Sequence, residues 1–328
     1  MDLDRYVLRD LHPMVSIGTA SDRYAGWLGQ IYSPERYAGR IQRRTKNLTQ
    51  GNFVEEVLPV DSLEEYFQHF NVLELDFTFY APLLDEMGRP GANYRLLELY
   101  SAHTRAEDRL ILKAPQAVMA QRVRRAEKFE PNPTYLDSGL FARGFYEPAV
   151  RLLGQRLAGM VLEQEYQPKA ERVSPQQMAS DLDRFFSEIP KDQRYHLELR
   201  TAQYLAEPVF QVLERHGVGQ VLSHWTWLPP LAKQAEASGG RFLKSGKTCI
   251  IRLMTPLGMR YEEAYCKAHP FDRIVEGMLQ PRMIEETAQL MRSILRAHGQ
   301  AYVIVNNRAG GNAPQISRMI AQRFLELS

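Results

Sequence analysis

Val72-Leu73-Glu74-Leu75-Asp76 is a short apolar run broken by one acid and closed by another. A strand buried on both faces of a parallel sheet has this character, because helices cover each side and only its end meets solvent. Seven further runs share it: Met14–Gly18, Leu110–Lys113, Met160–Gln164, Tyr195–Arg200, Gln220–His224, Cys249–Leu253 and Ala301–Asn306. The segments between them have helical spacing. Ile284, Ala288, Met291 and Leu295 fall on one helical face. Ser174-Pro175-Gln176-Gln177 reads as a capped helix start, and the stretch Pro208 to His216 ends before Gly217, a helix stop. Eight strands alternating with helices predict an α/β fold, a (β/α)8 barrel of the TIM type, with a doubly wound open sheet as the alternative. No linker rich in Pro, Gly or Ser divides the chain. Residues 1–328 therefore read as a single barrel domain with a core at about 14–327, with loop insertions expected at 36–52, 127–141 and 254–281.

Composition narrows the function classes. With 328 residues, 44% apolar and 24% charged, the chain is neither mainly disordered nor fibrous. A net charge of +2 excludes a strong global field for nucleic acid or membrane. Arginine far outnumbers lysine, which suits bidentate recognition of phosphate or carboxylate but also follows from codon bias. Cys249 and Cys266 are too few for a disulfide framework. The first residues lack the apolar core of a signal peptide, and no apolar run is long enough to span a bilayer. The expectation is a cytoplasmic protein with no membrane partner. The sequon at Asn47 is then read as chance.

In barrels of this kind the active site lies at the carboxyl ends of the strands. The predicted strands end in Glu74 and Asp76, in Lys113, in Glu163, Gln164 and Glu165, in Glu198 and Arg200, in Ser223 and His224, in Arg252, and in Asn306 and Asn307. An unpaired buried ion costs several kcal/mol, so these groups are expected to be paired structurally or hydrated in a cavity. The side-chain period of two puts His196, Glu198 and Arg200 on one side of their strand, with Leu197 and Leu199 on the other. Glu198 beside a cation fits a base or a hydroxyl acceptor better than an acid. Lys113 reads as a countercharge to Glu74 or to phosphate, with a Schiff base as the alternative. After the last run, Asn306 to Pro314 leads into a helix, which suits an anion site or a simple tight turn.

Motifs exclude several cofactors. Gly246-Lys247-Thr248 looks like the end of a phosphate-binding P-loop, but Arg241 stands where its first glycine is required. No HExxH, paired CxxC or Gly-x-Ser-x-Gly is present, and nothing marks nicotinamide, flavin or zinc. A divalent cation held by Glu74, Glu163 or Glu198 remains open.

The chain resembles the YecE-like family, also known as domain of unknown function 72. Gly18-Thr19-Ala20 with Tyr24, Trp27, Gly29, Tyr32 and Pro34 looks like its first-strand motif. Phe70-Asn71-Val72-Leu73-Glu74 followed by Thr78-Phe79-Tyr80 resembles its most recognisable segment. Lys113-Ala114-Pro115, Gln164, Glu198-Leu199-Arg200, Arg252-Leu253, and Asn306-Asn307 with Gly311-Asn312-Ala313-Pro314 follow in the family order. The resemblance implies a TIM-type barrel with these residues in one cleft, and no settled activity. Several family histidines are replaced, by Met119-Ala120, Thr201, Met254 and Asn312, and the family aromatic is Asp22 here. Histidine acid–base chemistry is therefore not expected.

Together these readings predict an enzyme of hydrolase or lyase type. Its ligand is a small anionic molecule, phosphorylated or sugar-like, at the barrel mouth. Glu74 and Glu198 are assigned acid–base work and Lys113 electrostatic stabilisation. Gln164, Arg200, Arg252, Asn306, Asn307 and Asn312 are assigned to the ligand, with Tyr24 and Trp27 as a stacking wall. The alternative is a non-catalytic metabolite sensor, or a module that contacts nucleic acid through Arg40–Lys46 and Arg122–Arg125.

Overall fold

The computed structural model describes residues 1–49, 51–125, 128–241 and 247–327. Gly246 of the P-loop-like segment lies outside them. Twelve strands are present among the described residues: β1 Val15–Ala20, β2 Gln42–Leu48, β3 Gly51–Val57, β4 Val72–Leu75, β5 Arg109–Lys113, β6 Arg122–Arg125, β7 Lys128–Pro131, β8 Leu157–Gln164, β9 Tyr195–Leu199, β10 Gly219–His224, β11 Thr248–Leu253 and β12 Gln300–Val305. Eight of them form a closed parallel barrel in the order β1-β4-β5-β8-β9-β10-β11-β12. Closure is direct: β1 pairs with β4 on one side and with β12 on the other. The open sheet is thereby excluded.

Strand parity explains the layering. Val72, Ile111, Val161, Val221, Ile250, Tyr302 and Ile304 fill the barrel interior. Their neighbours in sequence, among them Leu73, Leu112, Leu162, Leu197, Leu222, Ile251 and Val303, face the surrounding helices. Each such aliphatic side chain contributes about 1.5–3 kcal/mol on full burial. Two residues further along the inner face come Glu74, Lys113, Glu163 and Arg252, so the apolar plug is capped by a charged layer. His196 belongs to the opposite end. It is buried, contacts the Arg194 and Thr248 carbonyls at 2.9 and 3.3 Å, and its pKa is lowered by burial. A Cβ on Gly219 would sit 2.3 Å from its ring, so glycine there makes room for it. Similarly a Cβ on Gly18 would lie 1.9 Å from the Val72 carbonyl oxygen, which lets β1 close against β4.

The helix ends follow their local chemistry. Ser174 Oγ accepts from Gln177 N at 3.1 Å to start helix Pro175–Glu188. Gly217 stops helix Glu207–His216 at φ 66°.

The insertions differ from the loops expected. Residues 42–48 and 51–57 pair as antiparallel strands, β2–β3, and residues 122–125 and 128–131 form a second antiparallel pair, β6–β7. Neither shows the apolar alternation of a half-buried strand, so the periodicity carried no signal. The basic cluster leading into and along the first hairpin is largely matched by acids: Arg40 with Asp61 at 2.9 Å, Arg43 with Glu56 at 3.0 Å and Lys46 with Glu55 at 3.4 Å. The hairpin is also fastened across the barrel mouth to helix Tyr261–Ala268. Tyr265 Oη donates to Glu55 at 2.6 Å, and Lys46 Nζ lies 4.2 Å from the Tyr265 ring centre. Among the described residues, no helix is long and apolar enough to cross a membrane.

Candidate active site

The carboxyl ends of the barrel strands surround a cleft of about 460 Å³. Six basic side chains line it (Arg23, Arg44, Lys46, Lys113, Arg200 and Arg308), against four acidic ones (Asp22, Glu55, Asp76 and Glu163). Phe77, Phe79, Tyr80, Tyr24, Tyr100, Trp225 and Tyr261 supply aromatic walls.

Beneath the cleft lies a layer closed to solvent. Arg252 is fully buried and grips Glu74 in a two-pronged pair, with Nε to Oε2 at 2.7 Å and Nη2 to Oε1 at 2.6 Å. Its Nη1 donates to Glu198, which is also fully buried. Arg252 was expected to hold a ligand anion, but it is spent on two carboxylates of the protein itself. Its guanidinium occupies the place between Glu74 and Glu198, two of the three carboxylates considered for a divalent cation. Among the described residues, no group of three or more metal-ligating side chains is arranged to hold a metal. Glu74 and Glu198, both fully buried, do not line the cleft.

The next layer does face the cleft. Glu163 sits opposite Glu198 in the β8–β9 register. Lys113 Nζ is 2.7 Å from Glu163 Oε2, and Arg200 Nη1 is 2.8 Å from Oε1. Arg200 also reaches Glu198 at 3.3 Å. Asp76 lies 3.9 Å from Lys113 and 4.0 Å from Arg252. The turn carrying Asp76 is pinned by Thr78, whose hydroxyl donates to the Lys113 carbonyl at 2.8 Å and accepts from the Lys113 amide at 3.1 Å. The same turn sets Phe79 beneath Lys113, with Nζ 4.1 Å from the ring centre.

Protonation states separate these acids. Burial alone would raise Glu163, but Arg200, Lys113 and Arg252 overrule it and hold the carboxyl at about 2. Asp76, despite burial, is kept below the usual range by Lys113, Arg252 and Arg308. Burial pushes Glu74 up to about 7; Arg252 opposes this and the Asp76 charge adds to it. Glu74 and Asp76 thus titrate as part of one coupled network with Lys113, Arg252 and Arg308, Glu74 being the member held up by burial.

Sequence reasoning missed two residues of the cleft wall. Asp22 is buried, accepts from Tyr100 Oη at 2.9 Å through Oδ1, and leaves Oδ2 without a partner. Burial raises its pKa to about 6, against smaller pulls from Arg23 and Tyr100. Because the folded value lies above the unfolded 3.8, Asp22 ionisation destabilises the fold as pH rises from about 4 to about 6. Asp22→Asn keeps the acceptor for Tyr100 and is expected to be more stable than the parent above pH 6, by on the order of 2 kcal/mol. The gain should vanish near pH 4 in urea titrations; an equal gain at both pH values would refute the assignment.

Arg308 is the other. The 306–312 segment was expected to cradle an anion with its backbone, but its own asparagines take those amides. Asn306 Oδ1 accepts from Arg308 N at 3.0 Å, Asn307 Oδ1 from Ala313 N at 2.8 Å and from Trp27 Nε1 at 3.2 Å. Asn312 caps the last helix through Gln315 N at 2.9 Å and donates to the Phe271 carbonyl at 2.8 Å. None of the three asparagines lines the cleft; the segment presents Arg308 instead. Its guanidinium lies 4.3 Å from the Tyr261 ring centre, its Nε has no hydrogen-bond partner, and it forms no ion pair among the described residues.

Of the remaining assigned residues, Tyr24, Lys113 and Arg200 line the cleft. Trp27 is fully buried beside Tyr24 and Tyr32, as packing rather than as a ligand wall. Gln164 Oε1 accepts from the Arg200 and Thr201 amides, both at 3.2 Å, and so aims the chain that carries Arg200.

The family described as "Protein of unknown function DUF72" matches residues 16–327. A DUF72 family protein from Enterococcus faecalis superposes with a TM-score of 0.57 at 11% identity, covering 95% of this chain and 96% of that one. A DUF72 family protein from Thermotoga maritima superposes with a TM-score of 0.55 at 16% identity, covering 95% and 99%. No curated protein matches the chain.

Proposed function

The chain belongs to the DUF72 family, described as of unknown function, and from the site itself we propose that it is an enzyme acting on a small anionic ligand, phosphorylated or sugar-like, by hydrolase or lyase chemistry. The observation that carries this reading is Arg308. It is a guanidinium with no carboxylate partner among the described residues, set at a cleft whose basic side chains outnumber its acids. An anion there gains charge-assisted hydrogen bonds without breaking an existing pair.

The roles follow from position and charge. Arg308 binds the anion, with Lys113 and Arg200 at the cleft floor stabilising charge that develops during reaction. Glu163, held ionised, takes a proton from the attacking group or substrate hydroxyl. Asp22, with a pKa of about 6, supplies the acid from the opposite wall. Glu74, Arg252 and Glu198 act through the residues above them, as a rigid charged base.

A panel of sugar phosphates, assayed by thermal shift and calorimetry, tests the reading. A binder should raise the melting temperature, and Arg308→Ala should weaken it by about 10–100-fold, the worth of charged hydrogen bonds. Binding that ignores Arg308 would overturn it. The tightly paired Glu74–Arg252–Glu198 layer also favours a second reading, a metabolite sensor. A sensor would bind the same compound saturably and release no product.

A further inference from the structure

Beyond the cleft its aromatic wall continues onto the surface. Trp225 lines the cleft with the Arg200 guanidinium 5.1 Å from its ring centre. Tyr166 stands 6.1 Å from Trp225 and 5.6 Å from Trp227, and its ring is inclined only 31° to that of Trp227. Tyr166 is 38% exposed and Trp227 42%. They follow the ends of β8 and β10, so they share the barrel face with the cleft. Large aromatic rings serving only as packing are driven under cover, whereas these two remain in water side by side. Neither is used by the chemistry assigned above.

We propose that Tyr166 and Trp227 form a stacking subsite for a second ring of an extended substrate, a saccharide unit joined to the anionic group held in the cleft. This rests on the anion-binding reading and narrows its substrate class. The C–H face of a sugar ring carries partial positive charge and meets the negative faces of the aromatic rings. Arg122 is paired with Glu171, while Arg172 donates to the Gln167 carbonyl at 2.8 Å and its guanidinium lies 5.6 Å from the Tyr166 ring centre. A neutral saccharide stacks through its C–H face and does not depend on that charge.

The experiment follows tryptophan fluorescence and calorimetry of the full chain with three sets of probes. These are glucose phosphates, phosphorylated disaccharides such as trehalose 6-phosphate, and the neutral disaccharides maltose, cellobiose and trehalose. A thymidine dinucleotide is added for comparison. At least one phosphorylated disaccharide should bind about tenfold more tightly than its monosaccharide counterpart. Trp227→Ala and Tyr166→Ala should erase that gain and leave the monosaccharide phosphate unaffected. Both side chains are half in solvent, so the fold tolerates their loss, which circular dichroism checks. Saturable quenching by a neutral disaccharide, lost in Trp227→Ala, would support the subsite even if no phosphate binds. Conversely, no gain and no quenching by any disaccharide would overturn it, while Arg308-dependent binding of a monosaccharide phosphate would leave the anion reading standing. A gain with the dinucleotide alone would also overturn it, in favour of a base-stacking surface.

Discussion

Arg252→Met is expected to destabilise the protein by about 3–5 kcal/mol, the cost of leaving a buried charge without its partner. Arg252 is fully buried and bridges two carboxylates that are fully buried themselves. Methionine fills much of the volume but leaves Glu74 without its two-pronged partner and Glu198 with Arg200 alone, at 3.3 Å. The deficit should be largest at neutral and higher pH. It should narrow in acid, where buried carboxylates take up protons more readily than in the unfolded chain. Urea denaturation at pH 5 and pH 8 measures both. Replacing Glu74 and Glu198 by Gln in the same chain should recover much of the loss, since no isolated charge is then buried. An Arg252→Met protein as stable as the parent at pH 8 would mean that water reaches this layer.

Glu163→Gln is expected to lower turnover on the order of 10²–10⁴-fold, the usual contribution of a positioned acid or base. The affinity of the anionic substrate should not fall with it. Glutamine removes one negative charge from between Lys113 and Arg200 and leaves both cations to the ligand. The signature is therefore a loss in kcat with Kd unchanged or tighter. Parallel loss of binding would make Glu163 a ligand contact or a support, and unchanged kcat would remove it from the chemistry. Its carboxyl stays ionised down to about 2, so the acidic limb of the pH profile should come from another group.

The barrel was legible because eight apolar runs with polar ends leave few other folds. Parity went further: Glu74, Lys113, Glu163, Glu198, Arg200 and Arg252 were all chosen as strand-end charges, and they do converge. Their partition was not legible. A one-dimensional pattern cannot tell a charge facing a cavity from one facing another carboxylate, so Arg252 and Arg200 looked alike. Only the pairing of Arg252 with Glu74, distant in sequence, separates them. Arg308 was hidden beside Asn306 and Asn307, which fit the family order, and these two together with Asn312 turn out to hold the segment that displays it. Asp22 was seen only as a departure from an aromatic; its partner, Tyr100, lies in a helix far along the chain, Ala92–Ala102. The first hairpin escaped because its partly buried β3 positions, Phe53, Glu55 and Val57, mix apolar and charged residues, so the sequence shows no apolar alternation.

The β2–β3 hairpin, fastened to helix Tyr261–Ala268, has a bearing on traffic. It walls one flank of the barrel mouth with Arg44, Lys46, Glu55 and Val57, while the opposite flank has Arg200 and Trp225. If Tyr166 and Trp227 receive part of the substrate as proposed, a molecule entering from the β8–β10 side would pass over them before its charged end reaches Arg308, and would leave by the same route in reverse order.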